Sequence, residues 1–147
     1  MSYATRQALI HRLTPAVYDR LTGLGQTDDG YAANADAALE WASGVIDSYL
    51  GERFSVPVSE AYTAARAMLA EVELALAEWL LWSRHGQSVP EGVAAKQDQM
   101  MRWLRDVADG KARPPGGLPD ATAGTGSWSG IVVGADRAFS RDDLEGF

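Results

Sequence analysis

The stretch SEAYTAARAMLAEVELALAEWLLWSR, residues 59–84, decides the fold class of this 147-residue chain. Its apolar residues recur at three- and four-residue steps, which is the spacing of a helix face. The apolar set is wider than one stripe, because Leu74, Leu81 and Trp82 fall outside the face that the others share. A helix that is apolar on nearly all sides either lies at the centre of its own domain or is shared with a neighbouring subunit.

Four further helices are predicted. Three precede this helix along the chain, and one follows it. Each predicted start carries a residue that can cap a helix, and the last three helices end at a glycine. The predicted caps are Thr5, Thr14 followed by Pro15, Asn34, Ser59, and a capping box of Ser88 with Glu91. The glycine ends are Gly51, Gly86 and Gly110. Turn-forming residues predict a loop over 26–33.

The composition changes after Gly110. Residues 111–130 are rich in Pro, Gly, Ser, Thr and Ala, a composition that cannot build a core alone, and Ile131-Val132-Val133 offers one short strand. The predicted fold class is therefore mainly α: a small helical bundle with an extended C-terminal arm that contains a short β-strand. We predict a helical domain over residues 1–110, holding all the core residues, and an arm over residues 111–147.

Composition excludes several classes of protein. The chain is 46% hydrophobic and 22% charged, which is typical of a globular domain, and it has no apolar run of the roughly 20 residues that cross a bilayer. No apolar signal-peptide core is present at the N-terminus. The absence of cysteine excludes disulfides, thiolate zinc sites and iron–sulfur clusters. A net charge of −7 argues against a surface that binds phosphate over the whole protein.

The polar residues suggest no catalytic or metal site. His11 and His85 have no adjacent nucleophile or carboxylate pattern, and a histidine at a helix C-terminus is favoured by the helix dipole. Asp28-Asp29-Gly30 lacks the ligand alternation of a calcium loop and is better explained as a turn. Glu71, Glu73 and Glu78 are expected to solvate the exposed side of the long helix. We therefore predict a non-enzyme with no metal and no cofactor.

The five tryptophans are more informative. Trp79 and Trp103 are predicted to lie in the core. Trp41 falls off the apolar stripe of its helix and Trp82 lies among residues spread around the end of the long one, so both are predicted at a subunit interface. Trp128 stands in the arm, which has no core of its own, and is expected to need a partner surface.

The ending FSRDDLEGF, residues 139–147, is similar to the closing signature of the Mu-like bacteriophage "gene product 36" family. Further short matches to that family occur in the same order over nearly the whole chain. They are Tyr3-Ala4-Thr5, the helix end Ile46–Leu50, Arg53-Phe54 with Pro57, and the helix end Leu104 to Gly110-Lys111. The chain departs from its relatives at 26–33, where they often carry a longer acidic stretch, and this departure argues further against a metal site there.

This resemblance implies a structural virion protein similar to the helical head–tail connectors, also called adaptors or head-completion proteins, of long-tailed phages. Copies would assemble in the host cytoplasm and form a ring below the portal protein. The ring would meet a tail-side stopper or tail terminator protein, and DNA would only pass through its channel; no membrane is implied. The arm would bind the portal or a neighbouring subunit, and its strand could add to an exposed sheet edge. The arm residues expected to contact a partner are Trp128, Ile131, Val132, Val133, Phe139, Arg141, Leu144 and Phe147.

A function of a different class stays open at this point. The chain could be a small helical regulatory or antitoxin-like binding module with an arm that folds on its partner. A connector predicts a ring whose copy number follows the portal, whereas a regulator predicts a small oligomer that is absent from particles.

Overall fold

The computed structural model describes residues 2–23, 28–84, 86 and 88–121. Within these ranges the chain forms five α-helices and no β-strand. The helices are α1 (Arg6–Leu13), α2 (Pro15–Thr22), α3 (Asp28–Leu50), α4 (Thr63–Arg84) and α5 (Glu91–Ala108). The predicted helical bundle is confirmed. The strand predicted at 131–133 lies outside the described residues.

Helix α4 is the centre of the bundle. It packs against α1, α2, α3 and α5. Its buried residues point to almost every side of the helix, and they are Ala65, Leu69, Val72, Glu73, Leu74, Ala75, Leu76, Ala77 and Leu81. The apolar pattern around this helix is therefore satisfied within one chain, and it does not require a neighbouring subunit. None of the helices in the described ranges is both long and apolar enough to cross a membrane.

Two short helices begin near their predicted threonines, with different chemistry at each. Thr5 caps α1, because its side-chain oxygen accepts a hydrogen bond from the backbone N–H of Ala8 at 3.2 Å. Thr14 precedes α2, but its side chain makes no capping hydrogen bond. Pro15 starts that helix, in the first turn, where a backbone N–H would have no partner within the helix.

The starts of the two later helices differ from the prediction. Residues 59–62 form a separate turn, in which the N–H of Tyr62 donates to the carbonyl of Ser59 at 3.1 Å. Helix α4 therefore begins only at Thr63. The capping box predicted from Ser88 does not form, because α5 begins at Glu91 with Pro90 before it and without a side-chain cap.

The predicted loop over 26–33 is helical from residue 28 onward, since α3 begins at Asp28. Asn34, the predicted cap, lies inside the helix. Its side-chain amide donates to the carbonyl of Thr22 at 2.7 Å. Carbonyls at the end of a helix have no partner within that helix, so this asparagine satisfies the end of α2 rather than the start of its own helix.

The first residues of the predicted arm pack onto the helical body. We call residues 111–121 the arm root. Leu118 is only 4% exposed and belongs to the core, which corrects the expectation that all core residues precede Gly110. Gly116 has φ +85°, and a side chain there would approach Ala64 at the start of α4. The N–H of Ala121 donates to the carbonyl of Arg53 at 2.6 Å. The division into residues 1–110 and 111–147 stays a prediction.

Leu118→Ala is expected to lower the free energy of unfolding by about 2–5 kcal/mol, because it leaves a cavity in a packed core. The matched control is Val56→Ala, which removes an exposed side chain. Urea unfolding followed by circular dichroism measures both. Equal stability of the Leu118→Ala variant and the parent would show that the arm root is not part of the folded body.

Candidate functional site

A group of tryptophans from two helices meets on the surface. Trp79 and Trp82 lie three residues apart on α4, so they share one side of that helix. Trp41 of α3 stacks on Trp79, with 6.4 Å between the ring centroids and 25° between the ring planes. The guanidinium of Arg20, from α2, lies 5.1 Å from the centroid of the Trp82 ring. We call these four residues the aromatic face.

The aromatic face is accessible to solvent. Trp41 is 39% exposed, and in the described part of the chain only Val56 is a comparably exposed large hydrophobic residue. Gly44, one turn from Trp41, has no atom within 4 Å of the position where a side chain would begin. Trp79, which was predicted in the core, is instead half-buried against Trp41. Exposed tryptophan is typical of interface anchors, so the face is the candidate interaction surface.

The predicted interface residues lie in different parts of the molecule. Trp41 and Trp82 occupy the aromatic face, and their role in a subunit interface stays a prediction. Trp103 is half-buried and packs against the core. All eight predicted contact residues of the arm, from Trp128 to Phe147, lie outside the described residues.

A buried carboxyl group ties the N-terminus to the central helix. Glu73 of α4 is completely buried, contrary to the expectation that it solvates an exposed side. Its Oε2 atom accepts hydrogen bonds from the backbone N–H groups of Tyr3, at 2.6 Å, and Ala4, at 2.9 Å. Its Oε1 atom contacts the hydroxyl of Ser2. Residues 2–4 are therefore held against α4 by one side chain.

Burial and hydrogen bonding act on the pKa of Glu73 in opposite directions. The hydroxyl of Ser2 lies near two acceptors, Oε1 of Glu73 and the carbonyl of Ala4 at 2.6 Å, and it can donate to only one of them at a time. Burial raises the pKa of Glu73 above its ordinary value, although the donors from Ser2, Tyr3 and Ala4 act in the opposite direction.

Tyr3 connects the N-terminus to further parts of the bundle. Its hydroxyl donates to Oδ1 of Asp47 in α3 and accepts from the N–H of Val58 at 3.2 Å. The guanidinium of Arg66 in α4 lies 5.2 Å from the centroid of the Tyr3 ring and donates to the carbonyl of Val58 at 2.7 Å. Burial and the hydrogen bond to Asp47 raise the pKa of Tyr3, so the hydroxyl keeps its proton. We call residues 2–4 and Glu73 the N-terminal clasp.

Arginines make two further connections that the sequence analysis did not identify. Arg12 of α1 joins α4, with its Nε atom 2.7 Å from Oε2 of Glu78, which is therefore an ion-pair partner rather than a solvated residue. Arg53 holds the arm root: it donates to the carbonyl of Val107 at 3.2 Å and to Oδ1 of Asp120 at 3.1 Å. A signal for Glu73 was present in the sequence, because it lies directly between Val72 and Leu74 in a helix that is apolar on nearly all sides.

The buried polar side chains of the described residues are paired, and no metal-type cluster forms among these residues. No group of three or more His, Asp or Glu side chains converges there in a way that could hold a metal ion. Every buried side-chain nitrogen or oxygen in that part has a hydrogen-bond partner. A cleft of about 310 Å³ beside the N-terminus is lined in part by Arg6 and Asp36, which pair with each other. His11 is exposed next to Gln7, and His85 lies outside the described residues.

Glu73→Gln is expected to remove a pH dependence of stability. In the native protein the pKa of Glu73 lies above the ordinary glutamate value of 4.5, so unfolding free energy is lost as the pH rises from 4.5 through the raised value. Glutamine does not titrate, yet its amide can donate to Ser2 while its oxygen accepts from Tyr3 and Ala4. Urea unfolding between pH 4 and 8, with Glu60→Gln as the exposed control, measures the difference. If the unfolding free energy changed with pH equally in Glu73→Gln and in the native protein, the raised pKa of Glu73 would be contradicted.

Comparison with known proteins identifies relatives along almost the whole chain. The family model described as "Bacteriophage Mu, Gp36" matches residues 3–127, a range that includes the aromatic face and all but Ser2 of the N-terminal clasp. Gene product J of Escherichia phage Mu is 34% identical over 137 residues, which are 90% of this chain and 88% of that protein. The Mu-like prophage FluMu protein gp36 of Haemophilus influenzae is 30% identical over 148 residues, which cover 99% of this chain and 97% of that protein.

Proposed function

Because this chain belongs to the bacteriophage Mu Gp36 family, we propose that it is a structural protein of the virion. In this proposal it is a head–tail connector: copies form a ring below the portal protein, and the ring joins the DNA-filled head to the tail. A tail-side stopper or tail terminator protein would bind the opposite side of the ring. The protein would act by binding and not as an enzyme.

The observation that carries the proposal is the exposed aromatic face on a body whose own core is closed. The buried apolar residues of α4 are already covered by their own chain, so they give no support to a ring. The support comes from Trp41, which is 39% exposed and stacked on Trp79. A cyclic ring needs two different surfaces on each copy, one for each neighbour. The aromatic face offers one such surface, and the arm residues from Trp128 to Phe147 offer the chemistry of a second.

The charge of the chain agrees with a DNA channel. The chain has 20 acidic and 13 basic residues. A surface of the same sign as the phosphate backbone binds DNA weakly, so DNA could move past it without being held.

The proposal is tested by counting this protein in purified phage particles by quantitative mass spectrometry, relative to the portal protein. We expect a fixed ratio near one per portal subunit, roughly twelve per particle for a symmetric portal ring. Absence from particles would contradict the structural function and would favour a regulatory binding module or a transient assembly factor.

A pair of variants tests whether the aromatic face is needed for incorporation of the protein into particles. Trp41→Ala is expected to lower incorporation into particles severalfold, because truncating a central interface tryptophan typically costs about 2 kcal/mol or more of binding. Val56→Ala, at the other exposed large hydrophobic residue, is the control and should be incorporated normally. Equal incorporation of the two variants would show that Trp41 is not part of the interface.

A further inference from the structure

The aromatic face and the arm root lie at opposite ends of the central helix. Gly116 of the arm root packs beside Ala64, at the start of α4. Trp79 and Trp82 come 15 and 18 residues after Ala64 along the same helix. At 1.5 Å per residue they lie about 22 and 27 Å farther along its axis. The arm root therefore lies toward the end of α4 remote from the aromatic face, and its last described residue, Ala121, is hydrogen-bonded to Arg53 just after the end of α3.

The arm is long enough to reach a second copy. The chain continues for the 26 residues 122–147 after Ala121, which the arm root holds against Arg53. Such a segment can span up to about 86–94 Å when fully extended. That reach is more than twice the length of the body along α4, since a 22-residue helix measures about 33 Å.

The end of the arm has the chemistry that fits the aromatic face. Residues 139–147, FSRDDLEGF, carry a phenylalanine at each end and three carboxylates against one arginine. Phenylalanine rings pack favourably on tryptophan rings, of which Trp41 is the most accessible. The face also presents the guanidinium of Arg20 above Trp82, which has the opposite charge to the excess carboxylates of the arm.

We infer that the aromatic face of one copy binds the end of the C-terminal arm, residues 139–147, of a neighbouring copy. The inference rests on the proposed function and names the contact that joins the copies. Each copy then donates its arm at one end and accepts an arm near the other, which is a head-to-tail contact. Contacts of this kind close into rings when the rotation between copies allows it.

The absence of cysteine from the chain gives a direct test on the full-length protein. One variant is Gly44→Cys, beside Trp41, where a side chain meets nothing within 4 Å. The other is Ser140→Cys, beside Phe139. The two purified proteins are mixed at high concentration and oxidised, and disulfide-linked dimers are measured by mass spectrometry. The control replaces Gly44→Cys with Gly92→Cys, the same substitution at an equally open glycine of α5.

We expect the Gly44→Cys and Ser140→Cys mixture to form the mixed disulfide about tenfold faster than the control mixture, because docking raises the effective concentration of the two thiols. Adding Trp41→Ala to the Gly44→Cys chain should abolish the difference. Equal rates in the two mixtures would overturn the inference.

A third chain that carries both Gly44→Cys and Ser140→Cys separates a neighbouring copy from the chain's own face. Binding between copies predicts a ladder of disulfide-linked multimers on oxidation. A monomer with an internal disulfide would show that the arm binds its own body, and it would overturn the inference. The particle count reports on the connector function separately, since a chain can be present in particles at a fixed ratio and still give no 44–140 disulfide.

Discussion

The buried carboxyl group of Glu73 is the contact on which the closed bundle depends. It accepts hydrogen bonds from the backbone of Tyr3 and Ala4, and so it fixes the N-terminus against the middle of α4. With its backbone fixed, Tyr3 reaches Asp47 of α3 and the N–H of Val58 through one hydroxyl group. One buried side chain thereby joins the N-terminus, two long helices and the segment between them. An unpaired carboxyl at this depth would be strongly destabilising, which explains why three donors surround it.

The closed bundle limits where copies of the protein can meet. Helix α4 packs against four helices of its own chain, and its buried apolar residues belong to the core. At the end of α5, Arg53 binds both Val107 and Asp120, and Leu118 packs into the core, so the chain leaves the body from a fixed place. What the described body offers to a partner is the aromatic face, which lies near the C-terminal end of α4. The proposed contact between the arm of one copy and the aromatic face of another would therefore be directional.

The sequence was sufficient to predict structural features that depend only on residues close to one another along the chain. Five helices follow from the spacing of apolar residues, and Thr5 caps α1 as its residue type predicts. Features that depend on distant residues were not predictable. Asparagine is a common helix cap, but the side chain of Asn34 instead donates a hydrogen bond to the carbonyl of Thr22 in another helix. Glu73 has the residue type of a solvated surface, but its partners lie about 70 positions earlier. The buried position of Leu118 likewise depends on a fold-back that a Pro- and Gly-rich composition conceals.

The central claim is that a complete helical body assembles with its copies through the aromatic face. An electron cryomicroscopy reconstruction of the head–tail junction of the phage tests it most directly. The account predicts a ring of these five-helix bodies below the portal, with Trp41 of each copy covered by the arm of the next. A ring in which Trp41 faces solvent, or a junction that lacks this fold, would contradict it.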